Sequence, residues 1–521
     1  MKKSCEVLLG ELLPYFPKPP ASVLCIAREV CCCIDELSEH GYEVTPLAFQ
    51  KRGPWEIPVQ VYDIIIVYDA LSSLEPMKGF LVDVRQLLAK SGALVICDEL
   101  SVLKCRRNRT GFYSRKEMVI DFYENGFSIR VCKKWPGPVD DAVISPKPCV
   151  NNGDCEPGLP SLSGSFAASH GQRVDGAGLQ PHMILGRKDD VFLRSYQEGD
   201  EETILPMFKE VFNTERNMAH WYWKFRDNPF GAYKIAQAFS KEGALAGHYS
   251  GYPVPFYASA GEDEQFLSLQ IGDIMTRPGF RRLGLGKTSV LGRITDYFHH
   301  KFCVDHIPFL YGFVAGNHRK FGERFLRYQY MYDIPFYVLD LNGATLKSDG
   351  WTKPMAFGIR VEEVYEVGPA FDRLFEKAAK NYGLLVKRDA KYLKWRYLDC
   401  PDGEHRIFAL KRFGKVVGWS VFRIRGTVLI WGDALFQKPY AVFAKRLILQ
   451  ILKQQFRTVR RIEGWFSKNP AWWENVLEDM GFTVTKEPNG LVAGVTIFES
   501  SLSVASIEEN LYYTMGDSDL F

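Results

Sequence analysis

Two hydrophobic patterns alternate along the first third of this 521-residue chain. Short apolar runs such as SVLCIA (22–27) and YDIIIVY (62–68) are typical of buried strands, whereas GFLVDVRQLLAKSG (79–92) carries apolar residues at helical spacing. This alternation predicts an α/β domain with a mostly parallel sheet over residues 1–135. Residues 136–185 are rich in Pro, Gly, Ser and Asp and show no periodicity, so they predict a linker.

The rest of the chain contains an internal repeat. WKFRDNPFG (223–231) and WRYLDCPDG (395–403) share Trp, Asp, Pro and Gly at the same spacing. Two further pairs follow in the same order: QIGDIM (270–275) with IWGDAL (430–435), and GFVAGN (312–317) with GWFSKN (464–469). A period near 160 residues is too long for a solenoid and predicts two related modules, 186–345 and 346–500, before an acidic tail at 501–521.

The first module carries a glycine-rich loop, RPGFRRLGLGKTSV, between a predicted strand and a predicted helix. The loop is not a nucleotide-binding P-loop, because the first glycine of that motif would fall at Arg281. It is not a dinucleotide loop either, because the third glycine would fall at Ser289. It does contain Arg281-x-x-Gly284-x-Gly286 at a helix N-terminus, where free N–H groups and the helix dipole favour a bound anion.

This loop resembles that of the GNAT acyltransferases, whose acyl-CoA motif reads V-x-P-x-x-R-x-x-G-x-G. Here TRPGFRRLGLG (276–286) has threonine in place of the valine and matches elsewhere. The resemblance implies two tandem modules, each a mixed β-sheet flanked by helices, with acetyl-CoA as the acyl donor. The implied acyl-CoA-binding residues are Ile274, Met275, Thr276, Arg281, Arg282, Leu283, Gly284, Leu285, Gly286, Lys287 and Asn317.

The chemistry of such an enzyme needs a proton acceptor for the attacking ammonium group. Asp273 is the nearest carboxylate on the central strand and is the expected catalytic base, although Asp433 repeats it in the second module and favours a structural role. The tyrosine acid usual in the family falls at Phe325, which has no proton to donate. Tyr328 is the expected substitute. The alternatives are Tyr330 and departure of the thiolate with the help of solvent.

Tryptophans precede the central strand. Trp223 is repeated by Trp395 and is expected in the core, whereas Trp221 has Leu393 at the repeat position and is expected to line the acceptor pocket. The second module has no glycine between Gly432 and Gly464, so we expect it to support the first module without binding acyl-CoA.

Residues 1–135 resemble the later part of a class I S-adenosylmethionine methyltransferase, a Rossmann-like fold, in YDIIIVYDALSSL, LLAKSGALVICDE and ENGFSIRV. The cofactor end departs from that pattern. The family's glycine-rich loop falls at CIAREVCC (25–32), which has no glycine, and its ribose-binding acid falls near Ala48 or Phe49. We therefore expect a degenerate domain that binds no S-adenosylmethionine and is kept for docking or stability.

The composition argues against several classes of function. A net charge of +3 gives no signature of nucleic-acid binding, and no apolar run reaches the 18 residues that a membrane helix needs. Ten of the 12 cysteines precede residue 156 without the paired spacing of a zinc site, so we expect reduced thiols, no metal and a cytoplasmic location.

The resemblance to the GNAT acyltransferases implies an acetyl-CoA-dependent N-acyltransferase acting on a small-molecule amine, with an amino sugar as the first acceptor to consider. Two alternatives stay open. One is a bifunctional methyl- and acyltransferase, and the other is a non-catalytic CoA-binding scaffold. Binding of acetyl-CoA and of S-adenosylmethionine would separate the three.

Overall fold

A computed structural model describes residues 9–10, 12–27, 33–48, 60–68, 77–101, 114–134, 179–259, 264–341, 356–455 and 459–521. The strands are β1 Ser22–Ala27, β2 Glu43–Ala48, β3 Tyr62–Tyr68, β4 Leu88–Ser101, β5 Phe127–Lys134, β6 Leu179–Lys188, β7 Val191–Ser195, β8 Lys234–Ser240, β9 Leu245–Ala258, β10 Glu264–Thr276, β11 Phe309–Val314, β12 Gln329–Asp333, β13 Pro335–Asp340, β14 Ile359–Val364, β15 Leu384–Val386, β16 Arg406–Arg412, β17 Lys415–Arg425, β18 Val428–Phe436, β19 Arg461–Trp465, β20 Thr483–Lys486, β21 Val492–Ile497 and β22 Leu511–Tyr512. The α-helices are α1 Cys33–Glu39, α2 Met77–Leu87, α3 Arg115–Glu124, α4 Glu201–Phe212, α5 Met218–Phe225, α6 Val290–Phe298, α7 Gly316–Phe325, α8 Pro369–Ala378, α9 Ala390–Leu393, α10 Ala444–Gln455, α11 Ala471–Asp479 and α12 Val504–Asn510. Within these residues, every helix is too short or too polar to span a bilayer.

The N-terminal sheet has the order β2-β1-β3-β4-β6-β5. Strands β1 to β4 pair in parallel, while β6 runs antiparallel between β4 and β5. The α/β alternation predicted for the first third is therefore observed, with one difference. Strand β6 begins at Leu179, inside the predicted linker, and completes this sheet.

A second, nine-stranded sheet has the order β12-β21-β11-β10-β9-β15-β22, and β7 and β8 extend it from β9. A third sheet has the order β14-β16-β17-β18-β19-β13-β20. Most strands of the second sheet come from residues 191–333, and most strands of the third come from residues 359–486. The chain is a mixed α/β protein built on three sheets.

The second and third sheets exchange a strand. β13 follows β12 of the second sheet in the chain, but it pairs with β19 and β20 of the third sheet. β21 follows β20 of the third sheet in the chain, but it pairs with β11 and β12 of the second sheet. The repeat boundaries predicted at 345/346 and 500/501 thus do not coincide with the boundaries of the sheets. The hydrophobic pattern of the sequence does not predict this exchange, because both strands are short apolar runs that could pair in either sheet.

The repeat appears as a reciprocal contact at the junction of the two halves. The Trp223 and Trp395 rings stack with centroids 5.5 Å apart, and each indole N–H donates to the other residue's backbone carbonyl, at 2.7 and 3.1 Å. Both rings are buried, as the repeat predicted. The two halves therefore meet around equivalent residues.

Candidate functional site

A cleft opens where two parallel strands of the second sheet separate. β10 and β11 pair only at Leu269 with Leu310 and at Gln270 with Tyr311. On the other side of β10, the pairing with β9 is interrupted between Gly272 and Met275. The cleft between the diverging strands has a volume of about 480 Å³ and is lined mainly by β10, β11, α7 and β21.

The interruption leaves backbone groups of the central strand available at the cleft. Asp273 and Ile274 pair with neither neighbouring strand, and both line the cleft. Asp273 has a positive φ of 54°, so the strand bulges at this point. An extended ligand arm lying between β10 and β11 would meet unpaired backbone polar groups here.

The glycine-rich loop follows directly from this strand. It consists of two short 3₁₀ turns, Pro278–Phe280 and Gly286–Thr288, before α6. The backbone N–H groups of Arg282, Gly284, Gly286 and Lys287 donate to no acceptor within the described part of the chain. These donors lie at the start of a helix, where the dipole adds partial positive charge.

The two motif glycines are required by the loop itself. Gly284 has φ +78°, and a Cβ there would lie 2.1 Å from the Thr288 carbonyl oxygen. Gly286 has φ +56°, and its Cβ would lie 2.7 Å from the Phe325 ring. Any larger residue would force the backbone out of this conformation.

The loop side chains are mainly in solvent. Arg282, Leu283 and Lys287 are exposed and Leu285 is 85% exposed, whereas Arg281 donates from Nε to the Thr276 carbonyl at 3.1 Å. Arg281 therefore fastens the loop to the end of β10. Met275 is buried beneath the strand, so only its backbone can face a ligand.

Asp273 lies in a buried ion cluster. It pairs with Arg216 and with Lys224, whose Nζ is 3.4 Å away, and Lys224 also contacts Asp519 at 3.2 Å. Burial favours the neutral acid, but the two cations outweigh it and hold the pKa of Asp273 well below its ordinary value. A carboxylate held this firmly in its charged form is a weak proton acceptor, so the expectation that Asp273 is the catalytic base loses physical support.

His318 is a residue of the cleft that the sequence reasoning missed. It lies on α7 with its ring 5.7 Å from the ring of Tyr328, and its Nε2 is buried with no hydrogen-bond partner among the residues that the structure describes. Burial lowers the pKa of His318 below its ordinary value, so the imidazole is neutral near pH 7 and has a lone pair to offer. No motif marks this histidine, and its exposure to the cleft follows only from the fold.

Tyr328 also lines the cleft. Its hydroxyl is 2.8 Å from that of buried Tyr249, and burial raises the pKa of Tyr328 well above its ordinary value. The neighbouring Tyr330 donates to the Arg319 carbonyl at 2.7 Å, and burial raises its pKa to about 12. Both are hydrogen-bond donors with little tendency to lose a proton.

Trp221 and Asn317 were both expected to contact a ligand. Trp221 is 1% exposed and packs against Tyr196, Phe225 and Tyr233, away from the cleft, which corrects the expectation that it lines an acceptor pocket. Asn317 lies in the first turn of α7 at the cleft rim, but its side chain is outside the described part of the structure.

The equivalent opening in the third sheet is filled by the chain itself. β18 and β19 pair in parallel from Val428–Arg461 to Ile430–Glu463 and then separate. Residues 513–517 enter this gap, with Thr514 bridged to Phe466 and its hydroxyl donating to Asp433 at 2.9 Å. The predicted tail is therefore folded and partly buried.

Among the described residues, one cluster combines side chains of the types that bind metal ions. His220, Cys400 and Asp402 bring ligand atoms within 4.8 Å of one another. They lie in a polar cleft of about 340 Å³ that Arg396 and Arg423 also line, and these guanidinium groups oppose a bound cation.

No protein-family model matches the chain, and no curated protein matches it. Solved structures do resemble it. A probable N-acyltransferase from Enterococcus faecalis V583 has 12% identity and a TM-score of 0.45, covering 61% of this chain and 75% of that one. A GCN5-related N-acetyltransferase from Anabaena variabilis ATCC 29413 has 12% identity and a TM-score of 0.45, covering 62% and 75%.

A tandem GNAT protein from the clavulanic acid biosynthesis pathway has 13% identity and a TM-score of 0.37, covering 59% of this chain and 98% of that one. A Burkholderia thailandensis methyltransferase has 15% identity and a TM-score of 0.24, covering 36% and 77%. Similarities of this size assign no activity to this chain.

Proposed function

We propose that this chain is an acyl-CoA-dependent N-acyltransferase with one working site, the cleft between β10 and β11. The observation that carries the proposal is that the glycine loop follows β10, the strand that lines the cleft, within a few residues. Strands that separate leave room for an extended arm, and the loop at their end offers unpaired N–H groups to a pyrophosphate. The loop conformation excludes a Cβ at Gly284, so the glycine spacing seen in the sequence fits this use.

We further propose that the second and third sheets belong to two related acyltransferase modules, of which only the first binds acyl-CoA. The third sheet has a 3₁₀ helix, Lys438–Phe443, at the position where the second sheet has the glycine loop. Residues 513–517 fill the opening of the third sheet. A ligand arm would have to displace this segment. The N-terminal sheet is proposed to be a degenerate methyltransferase-like domain; most of the glycine-free CIAREVCC segment, together with Phe49, lies outside the described residues.

In the proposed reaction the bound acyl-CoA supplies its acyl group as a thioester. His318 accepts a proton from the attacking ammonium, directly or through a water, which frees the nitrogen lone pair. The nitrogen attacks the thioester carbon, and as the carbon–sulfur bond breaks the thiolate leaves with the electron pair. The nitrogen then loses its second proton to solvent, which gives the neutral amide. Tyr328 donates a hydrogen bond at the cleft, while solvent supplies the proton, because the raised pKa of Tyr328 disfavours full transfer.

The acceptor is proposed to enter from the polar cleft beside the first one. The two clefts share Phe208, Thr214, Arg216, Asp519 and Leu520. Residues of both halves line the polar cleft, which gives the second module a part in acceptor binding. A small amine is the proposed acceptor class, with amino sugars, free or nucleotide-linked, the first to test.

The test is amine-dependent release of the CoA thiol from acetyl-CoA, followed by a colorimetric thiol reagent. The panel contains amino sugars, nucleotide-linked amino sugars, amino acids and polyamines, each with a matched hydroxyl analogue as the control. We expect release with at least one amine and none with its hydroxyl analogue. Binding of acetyl-CoA without release for any amine would favour the non-catalytic scaffold, and a thermal shift with S-adenosylmethionine would favour the bifunctional enzyme.

A further inference from the structure

A basic pocket lies between the N-terminal domain and the glycine loop. It has a volume of about 230 Å³ and lies among α3, β5, α6 and the end of α7. Four of its lining residues are cations from three parts of the chain: Arg115 and Arg130 from the N-terminal domain, Lys287 from the loop, and Arg327 after α7. No carboxylate pairs with any of the four within the described residues.

The four cations outnumber the single acid of the pocket lining. Asp296 is the acidic residue of its lining and accepts a hydrogen bond from Tyr123 at 2.8 Å. Partial burial lowers the pKa of Arg130, repulsion from Arg187 and Arg293 lowers it further, and Asp189 opposes these effects. The pocket therefore favours a bound anion.

The N-terminal domain is fixed against the loop. Val119 and Tyr123 of α3 share a buried core with Ile294, Tyr297 and Phe298 of α6. The Tyr297 hydroxyl donates to Glu124 at 2.9 Å, and Lys301 pairs with Glu124 at 3.1 Å. As a result β5, an edge strand, contacts the turn Gly286–Thr288.

Arg130 lies at an irregularity of this edge strand. The pairing of β5 with β6 shifts between Ile129 and Val131, so Arg130 is the extra residue of a bulge. A bulge redirects a side chain that would otherwise follow the strand's alternation, and bulges are frequent beside functional sites. Arg115 lies next to it, with Nε 3.2 Å from Cys132 Sγ.

We infer that this pocket binds the 3′-phosphate of the ribose of coenzyme A, and that the N-terminal domain thereby forms one wall of the acyl-CoA site. The inference rests on the proposed function, since it continues the pyrophosphate loop into a second phosphate site. Lys287 belongs to both, as the last loop residue with a free N–H and as a lining residue of the pocket. A phosphate monoester carries close to two negative charges and is the anion that a cluster of arginines recognises best.

The test compares acetyl-CoA with acetyl-dephospho-CoA, which lacks only this phosphate, by isothermal titration of the full chain. The wild type should bind acetyl-CoA at least about tenfold more tightly, which corresponds to one charge-assisted contact of roughly 1.4 kcal/mol. The double variant Arg115→Ala, Arg130→Ala should bind both ligands with the wild-type affinity for the dephospho form. Arg130→Lys should keep part of the preference, and Lys18→Ala, an exposed cation of the same domain, should keep all of it.

The outcomes separate the two proposals. If neither ligand binds the wild type, the proposed function fails and this inference fails with it. If both bind equally, or if the double variant keeps the wild-type preference, the proposed function stands and the N-terminal pocket is not the phosphate site.

Discussion

His318 and Asp273 line the same cleft, but they differ in charge state. Asp273 is held ionised by Arg216 and Lys224, while His318 has a buried, unpartnered Nε2 and a lowered pKa. We therefore propose the histidine as the proton acceptor. The carboxylate holds two cations beside the bulge of β10.

Replacing His318 by Gln is expected to lower kcat by about 100-fold or more, since general-base catalysis contributes roughly 10²–10⁴-fold. The KM for acetyl-CoA should change little. Because burial lowers the pKa of the imidazole, wild-type activity should fall only at pH values below the ordinary histidine range, as the ring becomes protonated. That acidic limb should be absent in the variant. An unchanged pH profile in His318→Gln would exclude the role, and His40→Gln, on the exposed end of the N-terminal helix α1, is the control.

Replacing Asp273 by Asn should reduce stability. The change removes a carboxylate from buried Lys224 and from largely buried Arg216, at a cost of about 3–5 kcal/mol measured by denaturant unfolding. The sign of the pH dependence follows from the lowered folded-state pKa: the carboxylate stabilises the fold at neutral pH, and this contribution is lost as the pH falls through the lowered value. Asp190→Asn, in an exposed pair with Lys241, should cost less than about 1 kcal/mol. A stable but inactive Asp273→Asn enzyme would instead support a base.

At the scale of elements, the glycine loop could be identified from the sequence because its requirement is local. Positive φ and close backbone approach need glycine at fixed spacing, and the spacing alone excluded the two nucleotide-binding loops. The position of the cleft beside β10 was predictable for the same reason, because the sequence shows a strand, the glycine loop and a helix in succession. His318 and the burial of Trp221 were not predictable, because both depend on which faces of α7 and α5 meet the sheet.

Two glycines of the loop region form a matched pair for testing this element. Gly284→Ala forces a Cβ to within 2.1 Å of the Thr288 carbonyl at a positive φ, so the loop must rearrange and acetyl-CoA affinity should fall by at least about tenfold. A Cβ at Gly279 meets nothing within 4 Å, so Gly279→Ala should bind as the wild type does. Equal affinities for both variants would separate the glycine motif from ligand binding. Unfolding midpoints of both proteins check that the difference is local.

At the scale of the whole molecule, the exchange of β13 and β21 makes the two halves interdependent. The sequence repeat revealed two related units, but it could not reveal which strand completes which sheet, because that is a long-range choice between similar apolar segments. Neither unit can close its sheet with the strands of its own repeat.

A truncation tests this interdependence. A fragment of residues 350–521 lacks β13, so its sheet has a gap between β19 and β20, and we expect no cooperative unfolding transition. A fragment of residues 186–521 keeps every strand of the second and third sheets and should unfold cooperatively. Circular dichroism during thermal unfolding distinguishes the two. A well-folded 350–521 fragment would show that β13 is dispensable.

The central claim is that this chain has one acyl-CoA site, in the cleft that ends at the glycine loop. Isothermal titration of acetyl-CoA into the full chain tests it most directly, because the stoichiometry counts the sites. We expect one molecule bound per chain, since residues 513–517 occupy the corresponding opening of the third sheet. Two molecules per chain would contradict the assignment of the second module, and no binding at saturating concentration would contradict the site itself.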